Sequence, residues 1–168
     1  MLPTALQLTL RTALAAAALA ACSSPKIVVT TNAAPAVDFD AKRTYAWLPE
    51  APESDREAEV MPWVRAAVNR DLAGKGYQLV PFDEASMVVE EILIAAERTR
   101  TNDPYYAVEL YETYEEGSMI LDFIDPLSRT ILWRGVATTE IKGLDTDEAR
   151  QARVDEVVSA IMDRFPPR

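Results

Sequence analysis

The sequence contains no histidine among its 168 residues, and it has only one cysteine and five glycines. Histidine is the side chain that most often acts as a general base or binds a transition metal, so its absence argues against most hydrolytic and metal chemistry. The patterns Gly-x-Ser-x-Gly, Gly-x-Gly-x-x-Gly and Gly-x-x-x-x-Gly-Lys are absent too, which leaves no signal for a nucleophile elbow or a phosphate-binding loop. We expect a protein that is not an enzyme, with no cofactor and no metal.

Positive charge is also scarce, because 17 lysines and arginines stand against 27 acidic residues and the net charge is −10. Binding to nucleic acid needs a basic surface that displaces counterions from phosphates. Electrostatic attachment to anionic lipid needs a similar basic cluster. We therefore expect no nucleic-acid partner, and we expect any membrane attachment to be covalent.

Residues 19–22 (Leu-Ala-Ala-Cys) close a run of nine alanines and leucines, residues 13–21, that follows Arg11. This arrangement resembles the signal peptide of a bacterial lipoprotein precursor. The resemblance implies cleavage between Ala21 and Cys22 and attachment of acyl chains to Cys22. Nine residues at about 1.5 Å each are too short to cross roughly 30 Å of hydrocarbon, so a permanent membrane-spanning helix is not expected.

This signal divides the chain into three parts: residues 1–21 as signal peptide, 22–25 as lipidated cysteine and short tether, and 26–168 as a single α+β domain. Ser23 follows the cysteine, and by resemblance to the sorting of bacterial lipoproteins this permits export to the outer membrane. We expect the protein on the periplasmic face of the outer membrane of a Gram-negative cell. Its partners are then the membrane, through the N-terminal acyl chains, and an unknown envelope protein or lipid.

Runs of β-branched and aromatic residues predict strands, and apolar residues at three- and four-residue spacing predict helices. The predicted strands are residues 26–31, 42–48, 77–80, 86–100, 118–124 and 130–138. The first helix is predicted to begin at Pro62 and to end with Gly76 as its left-handed cap. The second is predicted to be capped by Asp145 and Glu148. The predicted loops include residues 50–59 and 101–116.

Each predicted helix has one apolar stripe, which a sheet face must cover. The fold is therefore expected to be α+β, with a mostly antiparallel sheet of about five or six strands and two helices packed on one face. Residues 118–124 and 130–138 flank a short Asp-Pro turn and predict a β-hairpin. Six residues are expected to be largely buried between the layers: Trp47, Val68, Leu72, Trp133, Val157 and Ile161.

Three pairs of carboxylates lie close together in the sequence: Glu90 with Glu91, Glu115 with Glu116, and Asp122 with Asp125. Adjacent strand residues point to opposite faces, so Glu90 and Glu91 are not expected to share a site. The same holds for Asp122 and Asp125, which are three residues apart. A glycosidase-like acid/base pair therefore has little support. Residues 145–147 (Asp-Thr-Asp) begin like a calcium loop, but the required glycine and closing glutamate do not follow.

Four tyrosines between the predicted strands form a candidate interaction loop: Tyr105, Tyr106, Tyr111 and Tyr114. Exposed aromatic side chains can stack on sugar rings or anchor a protein partner. Alternatively, they fold back over the edge of the sheet as a lid. Both interpretations stay open at the level of the sequence.

Five short motifs occur in order along the chain: residues 42–47 (Lys-Arg-Thr-Tyr-Ala-Trp), 75–77 (Lys-Gly-Tyr), 116–122 (Glu-Gly-Ser-Met-Ile-Leu-Asp), 132–135 (Leu-Trp-Arg-Gly) and 165–167 (Phe-Pro-Pro). Together they resemble a bacterial lipoprotein family, the domain-of-unknown-function family 4136, over about residues 26–167. The resemblance implies an envelope lipoprotein with no assigned reaction, so it supplies no catalytic residue.

Three functions follow as hypotheses. The first is a non-enzymatic accessory or binding module of the cell envelope. The second is a carboxylate-dependent cell-envelope hydrolase, which needs two acidic groups converging in one cleft. The third is an auxiliary lipoprotein of an envelope lipid transporter, which an apolar groove large enough for an acyl chain would favour.

The Cys22→Ala variant tests the lipoprotein signal. Without the thiol, the precursor is expected to stay uncleaved and to incorporate no labelled palmitate, because the acyl chains have no attachment atom. Metabolic labelling followed by membrane fractionation measures both effects. Normal cleavage and fractionation of this variant would contradict the prediction.

Overall fold

A computed structural model describes residues 25–101 and 111–166 of the chain. Its strands are β1 (Val28–Ala33), β2 (Thr44–Trp47), β3 (Gln78–Leu79), β4 (Met87–Thr101), β5 (Tyr111–Ile124) and β6 (Ile131–Ile141). Its helices are α1 (Asp55–Gly74) and α2 (Asp147–Met162).

The six strands form one sheet in the order β1-β6-β5-β4-β2-β3. The pairs β1/β6, β6/β5 and β5/β4 are antiparallel, whereas β2 runs parallel to both β4 and β3. The parallel pairs arise because α1 carries the chain back between β2 and β3, and a parallel connection needs such a crossover. The α+β prediction is confirmed, with a sheet that is mixed and mostly antiparallel.

Both helices lie on the same face of the sheet. On α1, Asn69 accepts a hydrogen bond from the indole N–H of Trp47 at 3.0 Å. On α2, Ile161 lies against Gly135 of β6. Trp47 is opposite Val89, Val89 is opposite Phe123, and Phe123 is opposite Trp133, so these side chains point to one face of the sheet. Gly135 is two residues after Trp133 and therefore lies on the same face. The prediction of two helices on one face is confirmed.

An aromatic cluster fills the space beneath the C-terminal ends of the helices. Phe165, which follows α2 and is 1% exposed, lies at its centre. The ring centroids of four other aromatic residues lie 4.3–5.6 Å from that of Phe165: Phe39, Tyr77, Phe123 and Trp133. Most of these contacts are edge-to-face, an arrangement that adds to the burial of apolar area.

Five of the six residues expected in the core are buried: Val68, Leu72, Trp133, Val157 and Ile161. Trp47 is only partly buried and packs against the edge of the core. Trp47 is less buried than predicted because β2 lies near the edge of the sheet, where α1 covers it incompletely. The guanidinium carbon of Arg65 lies 5.1 Å from the Trp47 ring centroid and covers part of the indole.

Helix α1 begins seven residues before the predicted start at Pro62, so residues 55–59 are not a loop. Ser54 caps the helix, because its hydroxyl accepts the N–H of Glu57 at 3.2 Å. The Glu57 carboxylate in turn accepts the N–H of Glu53 at 2.6 Å. The Ser54 hydroxyl satisfies one free N–H group of the first turn, and the Glu57 carboxylate holds the residue before the cap, so the helix begins here and not at Pro62.

The helix ends are partly as predicted. Gly76 has a φ of 74° and is the left-handed cap of α1. The N–H of Gly76 donates to the carbonyl oxygen of Ala73, and the N–H of Tyr77 donates to the carbonyl oxygen of Leu72 at 2.9 Å. These two hydrogen bonds form a Schellman motif. The α2 prediction is wrong by one residue. Thr146 caps that helix by accepting the N–H of Ala149 at 3.2 Å.

Residues 111–116, predicted as part of a loop, belong to β5. They pair with the outer part of β4, with Thr113 opposite Thr99 and Tyr111 opposite Thr101. Threonine and tyrosine favour strands, and the long β4 provides the partner that the sequence alone does not reveal. The predicted hairpin formed by β5 and β6 is confirmed.

Neither α1 nor α2, the helices of the described residues, has the length and hydrophobicity that a membrane span requires.

Gly135 gives a direct test of the packing between sheet and helix. A Cβ atom there would lie 2.4 Å from Ile161 Cγ2 and 2.4 Å from a ring carbon of Trp133. The Gly135→Ala variant should therefore lose about 1–3 kcal/mol of unfolding free energy through overpacking, as measured by urea denaturation. Gly74→Ala is the matched control, because nothing lies within 4 Å of its added Cβ. Equal effects of the two substitutions would contradict the prediction.

Candidate functional site

A cavity of about 220 Å³ lies between the first turns of both helices and the sheet. We call it the helix-start cavity. Its apolar wall is formed by side chains from the sheet, from the helices and from the segment before α2: Leu93, Met119, Ala137, Ile141, Leu144, Val60, Val154 and Val157. The polar residues of its lining are Ser54, Arg56, Glu57, Ser118, Thr139, Arg150 and Arg153, and we call Arg56 and Arg150, which are its exposed arginines, the rim. An open apolar cavity with a few polar groups at its edge is a common form of ligand site.

The cavity exists because small residues face the helices at this position of the sheet. Ala95 of β4 lies opposite Gly117 of β5, and Gly117 lies opposite Thr139 of β6. A Cβ atom on Gly117 would come within 3.1 Å of Ile141, which lines the cavity wall. Ile141 therefore occupies the space next to Gly117, and the short side chains of Ala95 and Ala137 leave unfilled space beneath the helix starts.

The arginines of the rim are paired with carboxylates. Arg56 Nη1 lies 2.6 Å from Glu115 Oε1. Arg150 Nη2 lies 3.0 Å from Glu59 Oε1, and the same group also pairs with Asp147. The Arg56 and Arg150 side chains are 56% and 30% exposed. Ion pairs with this exposure are weak, so these guanidiniums can exchange their partners at low cost.

The start of the described chain is held beside this cavity. Arg153, which is 7% exposed, donates from Nη2 to the carbonyl oxygen of Pro25 at 2.5 Å and also to the Thr139 hydroxyl. Its Nη1 donates to Glu156 at 2.6 Å. Arg164 similarly donates to the carbonyl of Val29 at 2.5 Å. These bonds fix the edge strand β1 and the residues before it against α2.

The outer parts of β4 and β5 extend beyond the end of β6 as a two-stranded ribbon. The pairing of β5 with β6 ends at Glu115 and Ile141, whereas the pairing of β5 with β4 continues to Tyr111 and Thr101. Pro25 precedes β1 at this same end, because Val28 lies opposite Thr138. The ribbon, the helix-start cavity and the start of the described chain therefore share one end of the molecule.

The predicted site residues are only partly described. Cys22 and Ala21 lie outside the described residues, as do Tyr105 and Tyr106. Tyr111 and Tyr114 are in β5 and not in a loop, so the four tyrosines are not one loop cluster. Among the side chains that the structure describes, that of Tyr114 is not part of the lining of the helix-start cavity.

Glu90 and Glu91 are adjacent in β4 and point to different faces of the sheet, as expected. Glu91 faces α1, where it is buried and pairs with Arg65 Nε. Burial raises the pKa of Glu91, and the hydrogen bond from Arg65 opposes this rise. Glu115 pairs with Arg56, whereas Glu116 pairs with Arg98 at 3.0 Å. Each of these groups has an ion-pair role in the fold.

The register brings together two carboxylates that the sequence does not pair. Glu90 lies directly opposite Asp122 on the face without helices. Asp122 is 1% exposed, and its two oxygens accept from Arg134 at 2.6 and 2.5 Å. Burial is the main cause of the raised pKa of Glu90, and the charges of Glu50 and Asp122 add to it. Because Arg134 occupies both oxygens of Asp122, this carboxylate is not available to a substrate.

Asp125 organises the turn between β5 and β6. Its Oδ1 accepts the N–H groups of Leu127 and Ser128, each at 2.9 Å, and its Oδ2 accepts from Lys42 Nζ at 2.8 Å. The hydrogen bond from Lys42, followed by that from Ser128, holds the pKa of Asp125 well below its usual range. The turn and the chain before β2 are thereby joined.

Within residues 25–101 and 111–166, no group of three or more acidic, cysteine or histidine side chains could hold a metal ion.

Sequence reasoning missed the helix-start cavity and the role of Arg153. Ala95, Gly117 and Ala137 are visible as small residues, but only the register places them near the helix starts. Arg153 lies within the apolar stripe of α2, where its charge gives no sign that it binds the backbone near residue 25. These residues can be read from the sequence, but their role is visible only when the strand register and the position of α2 are known.

These features define an α+β domain with one covered sheet face and an apolar cavity at one end. The chain belongs to the family described as Domain of unknown function (DUF4136), whose model matches residues 29–167. This result confirms the resemblance inferred from the sequence motifs. A comparison with curated proteins found no match.

Solved structures share the fold. The domain is similar to a PDZ domain protein from Parabacteroides distasonis ATCC 8503, with a TM-score of 0.55 and 10% identity, over 86% of this chain and 37% of that one. It is also similar to the PelC dodecamer from Paraburkholderia phytofirmans, with a TM-score of 0.53 and 10% identity, over 85% of this chain and 100% of that one. A minor lipoprotein from Acinetobacter baumannii aligns with a TM-score of 0.44 and 12% identity, over 74% and 93% of the chains. At these identities the first two likenesses show the fold alone.

The Asp125→Asn variant tests the structural role of this carboxylate. The folded-state pKa lies below the unfolded value of about 4, so the stabilisation is complete above that value and is lost as the pH falls toward the folded pKa. The variant should lose about 1–2 kcal/mol of unfolding free energy at pH 7, and the difference from the parent should shrink by pH 3. Urea denaturation at both pH values measures this. Asp83→Asn, at an exposed position, is the control, and a loss that is the same at both pH values would contradict the assignment.

Proposed function

We propose that this protein is a lipoprotein attached through Cys22 to the periplasmic face of the outer membrane of a Gram-negative cell. There it serves as a non-enzymatic accessory or binding module for another envelope component. The observation that carries the proposal is the bond between Arg153 and the carbonyl of Pro25. This bond fixes the folded domain only three residues from Cys22.

Three residues span at most about 10 Å, so the domain is held against the bilayer surface. The end of the domain that carries the ribbon and the helix-start cavity is then the end nearest to the membrane. This geometry favours a partner that is embedded in the membrane or lies on it. A partner deep in the cell wall is out of reach of so short a tether.

The hydrolase alternative has little support, because Glu91, Glu115, Glu116 and Asp125 are each in an ion pair, and in the convergent pair of Glu90 and Asp122 both oxygens of Asp122 accept from Arg134. The alternative of an auxiliary subunit of a lipid transporter has one favourable observation. The helix-start cavity is apolar and open to solvent, as a site for a hydrocarbon chain would be.

Photocrosslinking in cells tests the proposed orientation. A benzophenone amino acid at Tyr106 or Tyr111 should capture outer-membrane proteins or lipid, because the ribbon extends from the end of the domain nearest to Cys22. Leu127 is the control position, since it is 95% exposed and lies in the turn at the opposite end. Capture of only soluble periplasmic or peptidoglycan-bound proteins, or equal capture at all three positions, would contradict the proposal.

A further inference from the structure

We infer that the helix-start cavity binds one acyl chain of a membrane phospholipid, with the phosphate headgroup at the arginines of the rim. The inference rests on the proposed attachment at Cys22, because that attachment brings this end of the domain to the bilayer. It goes further by assigning a ligand class to a defined site.

The shape and chemistry of the wall select an aliphatic chain. The side chains of Leu93, Met119 and Val157 offer only apolar contacts to an occupant. A sugar or a peptide would lose hydrogen bonds to water there without replacing them. An apolar cavity of about 150 Å³ is known to hold benzene, so about 220 Å³ accommodates the terminal carbons of one acyl chain.

The charge at the rim distinguishes a phospholipid from a neutral hydrocarbon. Arg56 and Arg150 line the cavity beside Glu57, and each already pairs with exposed carboxylates, Arg56 with Glu115 and Arg150 with Glu59 and Asp147. The planar guanidinium matches a phosphate group and can bind it through two parallel hydrogen bonds. Because the present carboxylate partners are partly exposed, a phosphate can replace them at low cost.

The source of the chain follows from the place of the cavity. Arg153 is part of the cavity lining and also holds Pro25, so the cavity lies within a short tether of the acylated residue. Phospholipid chains are therefore present at high local concentration at the mouth. We expect the lipid to come from the bilayer that anchors the protein.

The experiment uses the mature acylated protein in vesicles of phosphatidylethanolamine and phosphatidylglycerol. A trace of phospholipid with a diazirine near the end of one acyl chain is included, and the labelled peptides are mapped after illumination. We expect label on peptides that contain Leu93, Met119 or Val157. Label confined to other peptides would overturn the inference, whatever the behaviour of any variant.

Two substitutions on one strand provide the matched comparison. Ala95 is exposed at the cavity, whereas Ala96 faces the other side of the sheet. In Ala95→Trp the indole occupies the space of the acyl chain, so labelling of the cavity peptides should fall by about fivefold or more. Ala96→Trp should keep the parental labelling. Equal labelling in the two variants, with equal thermal unfolding, would overturn the inference.

A second arm separates the two sources of acyl chain. The protein is acylated in cells supplied with a diazirine fatty acid and is then placed in vesicles of unlabelled lipid. Label within the cavity in this arm would show that the protein's own chain on Cys22 is the occupant, which would overturn the assignment to bilayer phospholipid. If the proposed anchoring is wrong, the protein fails to sediment with vesicles at all. If only the cavity inference is wrong, it sediments but its cavity peptides stay unlabelled.

Discussion

The structure depends on a difference in length between its strands and its helices. The 15 residues of β4 extend for about 50 Å, whereas the 16 residues of α2 span about 24 Å and the 20 residues of α1 about 30 Å. The helices therefore cover only one part of the face that they share. Past the helix starts, β4 and β5 continue as the ribbon without a helical layer, and the helix-start cavity lies where the helical layer begins.

The two ends of the domain are consequently different in character. At the C-terminal ends of the helices, Phe165 and Trp133 fill the space with closely packed rings. At the helix starts, small residues face the helices and arginines line the edge. Arg153 joins this second end to the residues that precede β1. The proposed orientation toward a membrane follows from that contact, because it determines which end lies near Cys22.

Local patterns predicted much of the fold correctly. The hairpin of β5 and β6 and the cap at Gly76 depend on short-range turn chemistry, so neighbouring residues were enough to predict them. The predicted start of α1 was wrong because the Ser54 cap initiates the helix seven residues before Pro62. The length of β5 was missed because residues 111–116 become a strand only when β4 supplies their hydrogen-bond partners. The candidate site was not predicted, since its residues come from five separate elements.

By itself, the sequence determined the family, the number and order of the strands and helices, the side of each helix that is buried and the expectation of a lipid at Cys22. These properties depend on spacing and composition along the chain. Only the tertiary structure decided that β2 and β3 add in parallel, that Glu90 meets Asp122, and that Arg153 holds Pro25 beside a cavity. Each of these contacts joins residues far apart in sequence, and their distance is set by strand register and helix placement, which no local pattern encodes.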